Sequence, residues 1–321
     1  MNYKPILIVH GEPNSIFLEI FFKSLRYKRF KNPLILICSQ KILKFQMKKL
    51  KFKMDIKIIN PSLLNNIKLN NKTINIIDIN YNQNINFKKI SSDSNDYIKN
   101  CFKISFKILK SGITNKLING PISKKTFLNK RFLGITEYLT KKTKANKSAM
   151  LIYNKRLSVS PITTHLPLKF VAKNINKKKV VEKINLIDSF YKKNLGFKPR
   201  IAVLGLNPHC ETIDKFNEDE KILKPTIKYL SSKKINVRGP FSADTAFLKK
   251  NRENFDVIVG MYHDQVLTPI KTIFEYDAIN ITLGLPFMRI SPDHGPNQRM
   301  LGQNKSNPLS LVRAIEFLET N

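Results

Sequence analysis

Short β-branched apolar runs alternate with segments of helical length along the chain. PILIVH (5–10) reads as a strand and SIFLEIFFKSLRYK (15–28) as an amphipathic helix. PLILIC (33–38) predicts a second strand, with the helical QKILKFQMKKLK after it, and residues 55–60 and 74–79 predict further strands. SDSNDYIKNCFKISFKILKSG (92–112) opens on Ser and Asp and closes on Gly, the punctuation of a helix. SAMLIYN and LSVSPIT (148–163) read as paired strands, KKVVEKINLIDSFYKKN (178–194) as a helix, and RIAVLGLNP (200–208) as a strand running into a loop. NEDEKILKPTIKYLSSKK (217–234) predicts a helix whose acidic first turn and basic last turn suit the macrodipole. FDVIVGMYH (255–263) and AINITLGLPF (278–287) predict strands, and NPLSLVRAIEFLET (307–320) a closing helix. Apolar strands joined by helices imply an α/β chain with a buried, mainly parallel sheet. There is no internal repeat, and the Asn-rich stretch at 60–90 reads as peripheral to function.

Polar clusters follow the predicted strands: NGPISK, PITTHLP, GLNPHCE and MYHDQ. In open α/β sheets ligands bind beyond the carboxyl ends of the strands. The chain has five histidines, His10, His165, His209, His263 and His294, and three of them lie just past a strand. His165, His209 and His263 are 44 and 54 residues apart, so no local metal motif applies and the ligands would come from distant segments. Three imidazoles with an open position suit a divalent metal such as zinc. Each ring needs an orienting partner for its second nitrogen, for which Asp264 and Thr164 are candidates.

Lys271, Asn280 and Arg289 follow His263 in one strand–helix–strand stretch, where the cations suit a phosphate or carboxylate. Asp244, in GPFSADTAF, stands at a helix start, where an N-cap and a catalytic carboxylate are equally compatible with the spacing. Walker A, GxGxxG and GxSxG motifs are absent from the sequence.

Composition narrows the classes. The 321 residues carry 57 Lys+Arg against 23 Asp+Glu, a formal charge of +34. The length suggests about two domains, and no run of ~18 apolar residues predicts a membrane-spanning helix. The apolar run at the N-terminus is too short for a secretory signal core, and Cys38, Cys101 and Cys210 show no CxxC spacing. Together these point to a reducing compartment, the cytoplasm. The lysines are spread over nearly every element rather than gathered in a patch, and Lys, Asn and Ile share A/T-rich codons. A specific nucleic-acid role is therefore not expected, although the charge attracts anions at low salt.

In order, NGPISK, GITEYL, TTHLPL, GLNPHCE, GPFSADTAF, YHDQVLTPIK and AINITLGLPFMRISPDHG resemble the 4-hydroxythreonine-4-phosphate dehydrogenase (PdxA) family. The resemblance runs from about residue 5 to the last helix. It implies an isocitrate/isopropylmalate-dehydrogenase-like fold of two α/β/α lobes, 1–130 with 282–321 and 131–281, the second carrying most metal and substrate ligands. It also implies a homodimer with active sites at the subunit interface. The implied reaction, part of pyridoxal phosphate (vitamin B6) biosynthesis, oxidises C3 of 4-phosphooxy-L-threonine with NAD or NADP and a divalent metal (Zn, Mg or Co). Decarboxylation then gives 3-amino-2-oxopropyl phosphate. Residue by residue, the resemblance places metal ligands at His165, His209 and His263 and substrate contacts at Thr136, Lys271, Asn280 and Arg289. It places His294 and Gly295 beside the cofactor, and leaves Asp244, Asp264 and Lys271 as candidates for the general base.

The departures are specific. Ile135 stands where the family has His, GEPNSIFLE replaces a glycine-richer segment, GPNQRMLG replaces the family's loop after His294, and Cys210 adjoins a predicted ligand. The loss at Ile135 keeps open a related substrate, such as 4-phospho-threonate or 4-phospho-erythronate. A reading from another class is a polyanion-binding protein that keeps the fold without the activity. The intact set of histidines, Lys, Asn and Arg argues against it.

Overall fold

The computed structural model describes residues 3–129, 131–132 and 134–321. In chain order the elements are β1 (Ile6–Val9), α1 (Phe17–Tyr27), β2 (Leu34–Cys38), α2 (Gln40–Lys49), β3 (Ile56–Ile58), β4 (Ile74–Asp78), α3 (Asn95–Lys110) and β5 (Lys116–Asn119). They continue with α4 (Ile135–Lys142), β6 (Ala149–Tyr153), β7 (Ser158–Thr163), α5 (Lys177–Phe190), β8 (Ile201–Leu204), α6 (Lys224–Ser232) and β9 (Val237–Phe241). The one-turn helices α7 (Ala243–Ala246) and α8 (Lys249–Arg252) precede β10 (Val257–Tyr262), α9 (His263–Phe274), β11 (Ile279–Leu283), β12 (Met288–Pro292) and α10 (Leu309–Thr320). The chain divides into two compact units, Met1–Ile135 with Pro286–Asn321, and Thr136–Leu285.

In the first unit the strand order is β3-β4-β2-β1-β5-β12, every neighbouring pair parallel. The apolar runs behave as doubly covered strands must: all four residues of β1 and all five of β2 are buried. α1 buries Phe17, Leu18, Ile20 and Phe21, and Phe22 stacks on Phe52 with ring centroids 4.6 Å apart. Full burial of such a side chain is worth about 1.5–3 kcal/mol. α10 brings Leu311, Val312, Ile315 and Leu318 onto the same core.

The second unit has the order β11-β6-β7-β10-β8-β9. Its first two pairs are antiparallel and the remaining three parallel. The predicted strand pair at 148–163 is thus an antiparallel hairpin, and β7, β10 and β8 run parallel side by side. The carboxyl ends of those three strands share one sheet edge, and they lead into Thr164–His165, His263 and Gly205–His209.

Two local readings change. Residues 278–287 are not one strand, because the chain turns at Gly284 (φ +87°) and resumes as β12. A Cβ at Gly284 would lie 2.3 Å from the Lys147 carbonyl oxygen, so only glycine fits. β9 hides in VRGPF, a half-exposed segment at one end of the strand order whose Pro and Arg mask the apolar alternation.

The first unit also buries polar groups at its carboxyl edge. The Tyr97 hydroxyl accepts from the Ser39 N–H (3.1 Å) and meets His10 Nδ1 (2.9 Å). Burial drives the His10 pKa down to about 3, so the ring is neutral. Glu12, 0% exposed, accepts the Asn14 N–H at 3.3 Å, and burial pushes its carboxyl up to about 7. Between the ordinary value of 4.5 and about 7 the folded chain holds a proton on Glu12 that the unfolded chain has lost. This group therefore removes stability as pH rises through that window, on the order of 3 kcal/mol in total. His10 acts in the opposite sense, removing stability as pH falls below 6.5 toward about 3. We expect Glu12→Gln to unfold at higher urea concentration than the native sequence at pH 8. The gap should narrow to about a quarter by pH 5 and close near pH 4, as read from urea midpoints across pH; a gap independent of pH would show that Glu12 does not titrate in this range.

Candidate active site

The three strand-end histidines occupy different settings within the second unit. His165 follows β7 and His263 opens α9 after β10, and their rings lie side by side with centroids 5.4 Å apart. His263 Nδ1 donates to Asp264 Oδ1 at 2.6 Å, which leaves Nε2 to carry the lone pair. The Thr164 hydroxyl donates to Glu137 Oε1 at 3.0 Å, tying the segment before His165 to α4.

His209 lies in the turn after β8. It and Cys210 both take left-handed backbone angles, φ +52° and +63°, which cost L-residues roughly 1–2 kcal/mol each. His209 Nδ1 meets the Ser242 hydroxyl at 3.3 Å, and that hydroxyl donates to Asp244 Oδ1 at 2.7 Å. The chain His209–Ser242–Asp244 thus fixes Nδ1 as the protonated nitrogen, again leaving Nε2 for a ligand. The Asp244 carboxyl is held below its ordinary range first by Ser242 and further by the neighbouring His209.

The remaining predicted residues spread over both units. In the second, the Thr136 hydroxyl, 4% exposed, lies 3.4 Å from the Thr282 hydroxyl on β11. Asn280, two positions earlier on the same strand face, has a buried Oδ1 without a hydrogen-bond partner. Lys271 is exposed and lies eight residues beyond His263 along α9, about 12 Å at 1.5 Å per residue. In the first unit, Arg289 on β12 is 0% exposed, and its Nε donates to Asn119 Oδ1 on β5 at 2.7 Å. His294 Nδ1 faces the Gly295 carbonyl at 2.9 Å. The loop after Gly295 touches the Asn-rich stretch: Gln298 Nε2 donates to the Lys88 carbonyl (2.9 Å), and the Lys88 N–H donates to Asn14 Oδ1 (3.1 Å).

Within one chain the structure therefore pairs His165 with His263 and orients His209 separately. Among the described residues no group of three or more His, Cys, Asp or Glu is placed to hold a metal ion. The donor chemistry nevertheless fits a divalent metal, because the Nδ1 contacts of His209 and His263 direct both lone pairs to Nε2. The sequence alone did not single out Ser242, Glu137 or Thr282. All three lie inside quoted motifs, GPFSADTAF, GITEYL and AINITLGLPFMRISPDHG, the one signal that could have found them.

Comparison with known proteins finds relatives over most of the chain. The family described as "Pyridoxal phosphate biosynthetic protein PdxA" matches residues 29–318. A 4-hydroxythreonine-4-phosphate dehydrogenase of Sulfurihydrogenibium sp. (strain YO3AOP1) is 37% identical over 318 residues, covering 97% of this chain and 96% of the relative. A D-threonate 4-phosphate dehydrogenase of Salmonella typhimurium is 30% identical over 324 residues, covering 99% and 98%. The crystal structure of a 4-hydroxythreonine-4-phosphate dehydrogenase from Klebsiella pneumoniae superposes with a TM-score of 0.81 at 28% identity, covering 98% of each chain. The fold is the isocitrate/isopropylmalate-dehydrogenase-like one that the motifs implied.

The Asp264 contact gives a direct test of ring orientation. Asp264→Asn removes the anionic acceptor while leaving a side chain that is 79% exposed in the native sequence. We expect the thermal midpoint to stay within about 2 °C, since exposed ion pairs contribute ~0–1 kcal/mol. The Nδ1-protonated fraction of His263 should fall, seen as a change in imidazole nitrogen NMR shifts. Unchanged shifts would show that Asp264 does not set the tautomer.

Proposed function

The chain belongs to the PdxA family, and from that premise we propose that it oxidises the C3 hydroxyl of 4-phosphooxy-L-threonine with NAD or NADP. The resulting β-keto acid loses CO2 to leave 3-amino-2-oxopropyl phosphate, a step of pyridoxal phosphate biosynthesis. The family makes it an oxidoreductase. The observation that carries the finer reading is the His165–His263 pair, ring centroids 5.4 Å apart, on the sheet edge that also presents His209.

When bound, a divalent metal (Zn, Mg or Co) lowers the pKa of the C3 hydroxyl and the nicotinamide accepts the C3 hydride. The chain's own residues supply everything else. His165, His209 and His263 would hold the metal, the last two oriented by Ser242–Asp244 and by Asp264. Thr136 offers a hydroxyl and Asn280 an amide oxygen to the substrate's polar groups. Lys271 and Arg289 would serve as the cations for phosphate and carboxylate, and His294 with Gly295 would contact the nucleotide. Asp244, held low by Ser242, is a weak base, and Asp264 is committed to His263. Asp244, Asp264 and Lys271 stay the three candidates for taking the hydroxyl proton. The family resemblance makes the active form a homodimer with active sites at the subunit interface.

A second reading rests on Ile135, which replaces the family's His beside Thr136. With one donor fewer, the same chemistry on a threonate or erythronate 4-phosphate becomes the alternative, in keeping with the name of the Salmonella typhimurium relative.

Purified protein with NAD or NADP, a divalent ion and 4-phosphooxy-L-threonine should form reduced cofactor. Chelation should abolish this, and His209→Ala should lower it by about two orders of magnitude or more, since metal polarisation is worth several kcal/mol. Turnover of D-threonate 4-phosphate in place of the amino acid would establish the second reading. No turnover of any of these, with steeply salt-dependent RNA binding instead, would replace both with the polyanion-binding role.

A further inference from the structure

Asp219 lies outside every motif that carries the family resemblance, yet it is 0% exposed. Its carboxylate is surrounded by amides of the turn that bears His209. The Leu206 N–H donates to Oδ1 at 2.7 Å, the Asn207 N–H to Oδ2 at 3.1 Å, and Asn207 Nδ2 to Oδ2 at 3.0 Å. The Asp219 N–H is anchored in turn on Asn217 Oδ1 at 2.9 Å. Gly205, at the start of the turn, has its carbonyl held by Gln265 Nε2 (2.8 Å), while Gln265 Oε1 accepts the Met261 N–H (2.7 Å) near the end of β10. A Cβ at Gly205 would lie 3.0 Å from Asp219 Oδ1 and 2.6 Å from Cys210 Sγ, so carboxylate and turn are packed to contact. Two consecutive left-handed residues, His209 and Cys210, persist only where their surroundings over-determine them.

We propose that Asp219 is a positioning residue for His209, its buried carboxylate locking the Gly205–Cys210 turn so that the imidazole is presented to a divalent cation. The inference rests on the reading of His209 as a metal ligand. Ser242 sets the ring's tautomer; Asp219 sets the backbone from which the ring projects.

The test uses apo full-length protein and Co²⁺ as the probe, without turnover. Asp219→Asn keeps the side-chain volume but turns one acceptor into a donor facing an N–H. Co²⁺ affinity, read by calorimetry, should fall about tenfold to a hundredfold, the usual effect of losing a residue that orients a ligand. Hydrogen exchange at the Leu206 and Asn207 amides should accelerate about tenfold or more while that of β10 amides is unchanged. Tyr191→Phe, which deletes a buried hydroxyl bonded to Ser158 at 2.8 Å, controls for a general loss of stability and should leave both readouts in place. Should Asp219→Asn fail to fold, Asn207→Ala removes one of the carboxylate's donors and should weaken Co²⁺ binding by about threefold. A folded Asp219→Asn that binds Co²⁺ within twofold of the native protein overturns the inference, as does native affinity in Asn207→Ala. If the native protein binds no Co²⁺, the metal reading fails, and native exchange rates at Leu206 and Asn207 in the variant would then sink the positioning claim by themselves.

Discussion

A backbone N–H that leaves a parallel strand at its carboxyl end loses its ladder acceptor and must find another before it is buried. Much of the structure follows from how this chain meets that requirement. After β2, the Ser39 N–H goes to the Tyr97 hydroxyl (3.1 Å) and the Gln40 N–H to Asp78 Oδ1 (2.7 Å). Near the end of β10, the Met261 N–H goes to Gln265 Oε1, and after β8 two amides go to Asp219. At these positions side chains take over where the backbone ladder stops, so the strand ends can carry irregular segments with these amides satisfied. Of these ends, the turn after β8 bears His209 and β10 leads into His263 at the start of α9.

The same requirement separates what the sequence reveals from what it hides. Apolar runs such as ILIV and LILIC read as strands because both faces are covered, and a polar cluster after a run marks a carboxyl end. The histidines stand out at three such ends. Their proximity does not, because it depends on lateral order: β10 lies between β7 and β8 although it follows both in the chain. Asp219 was legible only as an acid in the first turn of a helix, where the macrodipole is explanation enough, whereas its carboxylate serves the turn after β8. Ser242 shows a similar ambiguity, since a Ser before a short helix reads as a cap, yet its hydroxyl links His209 to Asp244. β12 was hidden because its residues continue an apolar run that only the backbone at Gly284 divides.

Acidic residues are scarce, 23 against 57 cations, so their placement is informative. Glu12, Glu19, Asp188 and Asp219 are all buried. Glu19 accepts from Lys23 Nζ (3.0 Å) and from the Ser306 N–H (2.6 Å), joining α1 to the segment before α10. Asp188 pairs with Lys192 at 2.6 Å. Acids drawn inward to hold backbone and loops are unavailable to balance the surface, and exposed pairs would contribute little in any case. Most of the surplus cations face solvent, where together they produce a positive field.

That field bears on selectivity. A broadly positive surface gathers small phosphorylated acids without distinguishing among them, so an additional surface lysine offers little discrimination. Discrimination needs groups whose geometry is fixed and whose solvation is already lost. Arg289 has that character: a guanidinium at 0% exposure, aimed by Asn119 at 2.7 Å, keeps a planar fork that a flexible ammonium lacks. Thr136 and Asn280 have it as neutral groups, a nearly buried hydroxyl and a buried amide oxygen. On the proposed reading, Ile135 stands in place of a donor beside Thr136, and nothing in a diffuse positive surface restores that direction. On the proposed function, the choice between an amino acid and a hydroxy acid bearing the same phosphate falls to this small neutral set, because both substrates meet the surface field alike.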